Sequence, residues 1–118
     1  MSLIDSDALN LDERYLNLVS FRQSLVASNI ANLDTPGYHT KDINFRTEMQ
    51  RALSAPEAPS TPQVTGVPGL MQRPDGNDVS LDRESMALAE TQMEYRVGVE
   101  MVRHEFRMDT LAMKDGTQ

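Results

Sequence analysis

Two long stretches of helical apolar periodicity, separated by a segment rich in proline and glycine, constrain this chain more than any other feature. From Asp82 towards Lys114 no proline interrupts the pattern, and steps of four and three run through Leu88, Gln92, Tyr95, Val99, Val102, Phe106, Asp109 and Met113. Met93, Val97, Met101, Met108 and Leu111 widen the apolar face. Such a helix would be about 50 Å long. That exceeds what a small globule of 118 residues needs, and points to a coiled coil or a repeated assembly. Asp82 is the expected N-cap, with Leu81 and Met86 placed for a hydrophobic staple, and Asp115-Gly116 supplies the stop.

The first stretch, Leu9 to Leu33, places Leu11, Tyr15, Leu18 and Leu25 on one stripe beside Leu16, Val19, Val26 and Ile30. It reads as one amphipathic helix about 35 Å long. Its opposite face carries Glu13, Asn17, Ser20, Ser24 and Ala27, small or polar residues that would face water or admit another helix. The expected fold is therefore mainly α: an N-terminal helix over 1–33, a connecting region over 34–80, and a C-terminal helix over 81–118. With so little large apolar volume in the chain, burial against other chains would be needed to cover these faces.

Asp34-Thr35-Pro36-Gly37 should end the first helix, because the residue before a proline is pushed out of the α region and Gly37 tolerates a positive φ. Thr35 to Tyr38 reads as a type II turn. Tyr38 to Phe45 reads as an extended stretch burying Ile43 and Phe45 on one side. A short helix follows over about 44–54, with Phe45, Met49 and Leu53 spaced four apart. Between Ala55 and Asp78 lie all but one of the prolines, no periodicity survives, and a structureless loop is expected.

The net charge of −7 leaves no basic face with which to neutralise phosphates, so neither a nucleic-acid partner nor an anionic membrane surface is expected. No apolar run is long enough to span a bilayer. The acidic start, Met1-Ser-Leu-Ile-Asp-Ser-Asp, does not read as a cleavable secretory signal. Cysteine is absent, which removes disulfides, thiolate metal sites and thiol nucleophiles together.

No catalytic constellation emerges. His104-Glu105 begins like a metalloprotease helix motif, but the second histidine would fall at Met108. His39 is distant in sequence, and the carboxylates are scattered among Arg83, Arg96, Arg103 and Arg107 as on solvated or paired helix faces. No cofactor, metal or catalytic residue is assigned. The methionines of the C-terminal helix read as adaptable packing side chains.

The strongest signal is Ala27-Ser28-Asn29-Ile30-Ala31-Asn32-Leu33-Asp34-Thr35-Pro36-Gly37-Tyr38. Asparagines are poor helix-interior residues, so Asn29 and Asn32 imply bonds to something specific, either the turn or a neighbouring subunit. Ordinary capping would explain Asn32 better than Asn29. This dodecapeptide resembles the signature of the flagellar axial family of rod and hook proteins. Lys41-Asp42-Ile43-Asn44-Phe45 and Asp75-Gly-Asn-Asp-Val-Ser-Leu-Asp-Arg-Glu84 extend the resemblance to both ends of the chain and leave only the Pro-rich middle unmatched.

The resemblance implies a structural rod subunit in the periplasmic part of the basal body, its two terminal helices paired as an antiparallel coiled coil whose apolar faces are completed by adjacent subunits. Its partners would be copies of itself, other rod proteins, and ring and export-gate components, arranged around an export channel. It also implies exit from the cytoplasm through the flagellar type III apparatus. The corresponding export-signal residues would be Leu3 and Ile4, with either Phe21 and Leu25 or Phe45 and Met49. Leu11, Tyr15, Leu18, Leu25, Tyr95, Val99, Val102, Phe106 and Met113 are the expected assembly seam. The competing readings are a small acidic helical adaptor or secretion chaperone, and a small hydrolytic or metal-dependent enzyme.

Overall fold

The apolar stripes produce the two helices that the sequence calls for. The computed structural model describes residues 6–56, 58 and 61–116. Helix α1 spans Ser6–Ala31, β1 Lys41–Ile43, α2 Phe45–Ser54, β2 Val64–Gly66, and α3 Leu81–Gly116. At 26 and 36 residues, α1 and α3 are about 39 and 54 Å long. They run antiparallel against one another: Asn29 meets Glu84 near one end, Arg22 meets Glu90 and Glu94, and Tyr15 and Leu16 reach Gly98. The resulting molecule measures 71 × 24 × 18 Å.

The start of α3 differs from expectation. Ser80, not Asp82, is the cap: its Oγ accepts from Arg83 N at 3.3 Å and its carbonyl from Glu84 N at 3.0 Å. Leu81 and Met86 are both exposed, so no staple forms between them. The hydroxyl two residues upstream intercepts the free amides first, and the helix begins at Leu81, two residues earlier than a cap at Asp82 would allow.

The middle region is more ordered than its composition suggests. Val64–Gly66 pairs antiparallel with Lys41–Ile43, in the register Lys41 with Gly66, Asp42 with Thr65 and Ile43 with Val64. The expectation of a structureless 55–78 loop is therefore corrected. Three-residue strands are too short for alternation to register, and pairing with β1 is what creates β2. Ile43 is buried, but Phe45 opens α2 and does not continue the strand face. Asn44 caps α2 through Thr47 N at 3.1 Å. The buried side of α2 is Glu48 and Ala52, and Leu53 is exposed.

These small elements pack on one flank of α1. Phe45 meets the Tyr15 ring edge-on at 5.7 Å between centroids, and Arg14 donates to the Ala55 carbonyl. The buried apolar residues, Leu18, Val19, Val26, Ile43, Ala52, Val79 and Ala87, form a thin core concentrated where α1, β1 and the first turns of α3 meet.

Candidate functional site

The two sequence signatures, Ala27 to Tyr38 and Asp75 to Glu84, pack against each other in one hydrogen-bonded joint. Asn29 lies at its centre, with 1% of its surface exposed. Its Nδ2 donates to the Lys41 carbonyl at 2.9 Å and to Glu84 Oε1 at 2.8 Å. Its Oδ1 accepts from Lys41 N at 3.1 Å and from the Tyr38 hydroxyl at 3.2 Å. An amide can make two donations and two acceptances here, and all four are used. Asn29 thereby imitates a backbone partner for the edge of β1, and ties α1, β1 and α3 together from inside a helix.

Asn32 does a local task. Its Nδ2 donates to the Ser28 carbonyl at 2.8 Å and its Oδ1 accepts from the Thr35 hydroxyl at 3.0 Å. The chain then turns: Tyr38 N donates to the Thr35 carbonyl at 3.2 Å, and Gly37 has φ 75° at the third position, as a type II turn requires. Asp34, Thr35, Pro36 and Gly37 are exposed, together with Ala27, Ser28 and Ala31; Ile30 and Tyr38 are half-buried. The Ser28 hydroxyl lies 3.3 Å from that of Tyr38.

The second signature closes over this turn. Asn77, fully buried, donates from Nδ2 to the carbonyls of Asn32 at 2.9 Å and Thr35 at 2.8 Å. Each of these carbonyls also accepts a turn amide, Thr35 N at 3.1 Å and Tyr38 N at 3.2 Å, so Asn77 takes up the second lone pair of both. Gly37 N donates to the Asp75 carbonyl and Asp78 N to the Tyr38 carbonyl, so the two loops are also joined by backbone. Arg73 donates to the carbonyls of Val79 and Leu33. Asp78 Oδ1 accepts from Thr40 N at 2.6 Å and Thr40 Oγ1 at 2.8 Å. Burial pushes the Asp78 carboxyl up, but the bonds from Thr40 and the neighbouring His39 ring outweigh it and hold it below the usual range.

A charge cluster flanks the joint. Asp42 accepts from Arg83 at 2.7 Å and from Arg22 at 3.2 Å, and Arg22 continues to Glu90 at 3.2 Å and Glu94 at 3.6 Å. Arg83 also bonds Glu84 Oε1 at 2.9 Å. Glu84 Oε2 is buried without a hydrogen-bond partner. Burial therefore raises the Glu84 carboxyl above its ordinary value, against the opposing pull of Arg83 and Asn29. Arg22 is the cluster member that sequence reasoning missed and could have found. It falls on the seam between Val19 and Val26, and a cation on a buried stripe demands a partner.

The expected assembly-seam residues lie in two settings. Leu18 is buried within the chain, while Leu11, Tyr15, Leu25, Val99 and Val102 are half-buried. Tyr95, Phe106 and Met113 are exposed. The residues of α3 that turn inward are instead Glu84, Ala87, Thr91 and Gly98, with Glu94 half-buried between them. Gly98 sits at a close approach of the two helices: a Cβ there would lie 2.5 Å from Leu16 Cδ2 and 3.0 Å from the Tyr15 ring. Of the expected export-signal residues, Leu3 and Ile4 lie outside the described residues. Phe21, Leu25, Phe45 and Met49 are half-buried.

The chemistry of the joint is structural: apart from Glu84 Oε2, the side chains described here bond one another or the backbone of the joint, and no group of three or more metal-ligating side chains occurs among the described residues. No described helix is long and apolar enough to cross a membrane. Residues 16–39 match the family described as flagella basal body rod protein, and this segment contains Asn29, Asn32 and the turn. The chain is 32% identical to flagellar basal body rod protein FlgB of Salmonella typhimurium, across 78% of this chain and 82% of that one. It is 29% identical to FlgB of Borrelia hermsii over 91% of this chain and 96% of that one, and 29% identical to FlgB of Bacillus subtilis over 90% and 92%. With the signature segment and nearly the whole relative matched in order, the chain belongs to the FlgB family of flagellar basal body rod proteins.

Proposed function

We propose that this chain, a structural and non-enzymatic subunit of the flagellar rod, forms the proximal segment of that rod by helix packing into a tubular drive shaft around the export channel. Its neighbours in this reading are copies of itself, other rod proteins, and the ring and export-gate components next to the rod. In this reading it leaves the cytoplasm through the flagellar export route and works in the periplasm. Helices α1 and α3 form the packing core, and the region between them positions them through the joint.

The observation that carries this reading is the surface left apolar. Large side chains on α3, among them Met93, Tyr95, Met101, Phe106 and Met108, are exposed, whereas a lone soluble helix pair would turn them inward. The molecule exposes 7925 Å², against about 6,400 Å² for a globular protein of this mass. The difference, roughly 1,500 Å² on one chain, is about what two standard-size contacts take from each partner, at about 800 Å² per contact. Nothing in the relatives' names favours a soluble adaptor.

Phe106→Asp tests the reading, because the side chain is half exposed in the single chain and its replacement leaves the monomer intact. The expected result is a variant of unchanged thermal stability that is absent from purified basal bodies and does not restore motility. Normal incorporation would refute the assembly role of this face.

A further inference from the structure

The charge cluster beside the joint is short of cations. Two guanidiniums, Arg22 and Arg83, serve four carboxylates, Asp42, Glu84, Glu90 and Glu94. The Arg83 fork spans two of them, donating from Nη1 to Glu84 Oε1 at 2.9 Å and from Nη2 to Asp42 Oδ2 at 2.7 Å. One planar group thus holds these two carboxyls side by side and away from water, since both residues are buried. Their supply of donors is unequal. Asp42 Oδ1 accepts from Arg22 Nε and Ile43 N, and Oδ2 from Arg83. Glu84 Oε1 accepts from Asn29 and Arg83, while Oε2 accepts from nothing among the described residues. A buried anionic oxygen without a donor is costly, and a proton there removes the charge while leaving both bonds to Oε1 in place.

We propose that the Asp42–Glu84 pair is a proton-operated latch between α1 and α3: a proton on Glu84 Oε2 closes the joint, and its loss turns that side chain towards water and frees Asn29 from α3. The bond from Asn29 Nδ2 to Glu84 Oε1 spans the two helices, so it is the one that opens. The bonds of Asn29 to Lys41 stay within the α1–β1 half. The groups facing Glu84 favour the proton. From α1 come the neutral Asn29 and Arg22, the latter already shared among Asp42, Glu90 and Glu94. From β1 comes Asp42, of like charge, while the Lys41 ammonium lies over the Tyr38 ring. On α3 itself Arg83 stands against Glu90 and Glu94. Asp78, on the loop before α3, is engaged with Thr40 and His39. Burial and the Asp42 charge accordingly raise the Glu84 carboxyl against the pull of Arg83 and Asn29. Acid therefore closes this latch, opposite to its effect on Asp78. That direction suits a subunit that folds on the more acidic, outer side of an energised membrane; this use rests on the rod reading, and the latch itself does not.

The test is a carbon-13 titration of the glutamate carboxyls in the purified full chain, with hydrogen exchange of the Asn29 side-chain amide followed in the same samples. The expected Glu84 carboxyl titrates above its ordinary value of 4.5. Between 4.5 and that folded value, opening releases one proton. Protection of the Asn29 amide, corrected for the intrinsic pH dependence of exchange, should therefore fall by up to tenfold per pH unit and then level off. Glu84→Gln should make protection independent of pH, whereas His39→Gln, which removes the nearby titrating ring, should keep the fall. A Glu84 carboxyl that titrates at or below 4.5, a flat profile in the unaltered chain, or the same fall in Glu84→Gln would each overturn the latch. Should Glu84→Gln not fold, the carbon-13 titration of the unaltered chain decides alone. Basal bodies play no part in this experiment, so its failure leaves the rod reading standing, and a chain missing from basal bodies leaves the latch standing.

Discussion

Asn29→Ala removes one side chain and four hydrogen bonds. Three of these are neutral and contribute about 1 kcal/mol each, and the one to Glu84 contributes about 2. Lys41 is exposed and Tyr38 half-buried, so water recovers part of this sum, and the net cost should be about 3 kcal/mol, more than a hundredfold in the folding equilibrium. Against a total stability of about 5–15 kcal/mol that loss is large. The assay is urea unfolding followed by far-UV circular dichroism, with exchange of the Lys41 amide as the local reporter, because that amide donates to Asn29 Oδ1. Asn29→Asp sharpens the test. It keeps the shape but sets a carboxylate where an N–H donated to Glu84 Oε1, so at pH 7 it should cost more than alanine. It should recover as the pH falls and the two acids share a proton. An alanine cost under about 0.5 kcal/mol, within the range of ordinary surface changes, would refute the reasoning. So would an aspartate variant milder than alanine at pH 7, or an unchanged Lys41 amide.

Gly98→Val should lower the thermal midpoint and disturb the near-UV signal of Tyr15, since overpacking at the helix crossing costs about 1–3 kcal/mol; Leu16→Ala in the same chain should restore part of it. Asp78 has a carboxyl held below its ordinary value of 3.8, so its stabilising contribution is present above 3.8 and lost as the pH falls through the lower folded value. Asp78→Asn should therefore flatten the acid limb of the stability curve, read by thermal melts between pH 5 and pH 2. Glu84 has the opposite sign: its folded value is raised above 4.5, so its contribution is present below 4.5 and lost as the pH rises through the folded value. Glu84→Gln should remove that decline and leave the chain at least as stable at pH 7, as the same melts would show.

Most of the architecture was legible in the chain because it rests on periodicity. Leu11, Leu18 and Val26 mark α1 and Val99 and Val102 mark α3 whatever surrounds them. Likewise Pro36-Gly37 restricts the backbone to one kind of turn. The starts of elements were less legible: Ser80 and Asp82 are both competent caps, and only the path of the loop from Asn77 to Val79 decides which hydroxyl or carboxylate meets the free amides. The strand at Val64–Gly66 left no trace, because three residues acquire strand character only by pairing with Lys41–Ile43.

The signature segments show the division most clearly. Sequence alone showed that Asn29 was an unfavourable helix residue needing a specific partner. It could not say that the partners are Lys41, Tyr38 and Glu84, because the first two are reached round a turn and the third is 55 residues away. It also selected apolar stripes on α3 without saying which face α1 would take. That choice fell to the tertiary structure: Gly98 permits close approach at Tyr15 and Leu16, and Arg22, Asp42, Arg83 and Glu84 must satisfy one another's charges away from water. Local patterns specify what each helix is, and the pairing of buried polar groups across the chain specifies how the helices are turned.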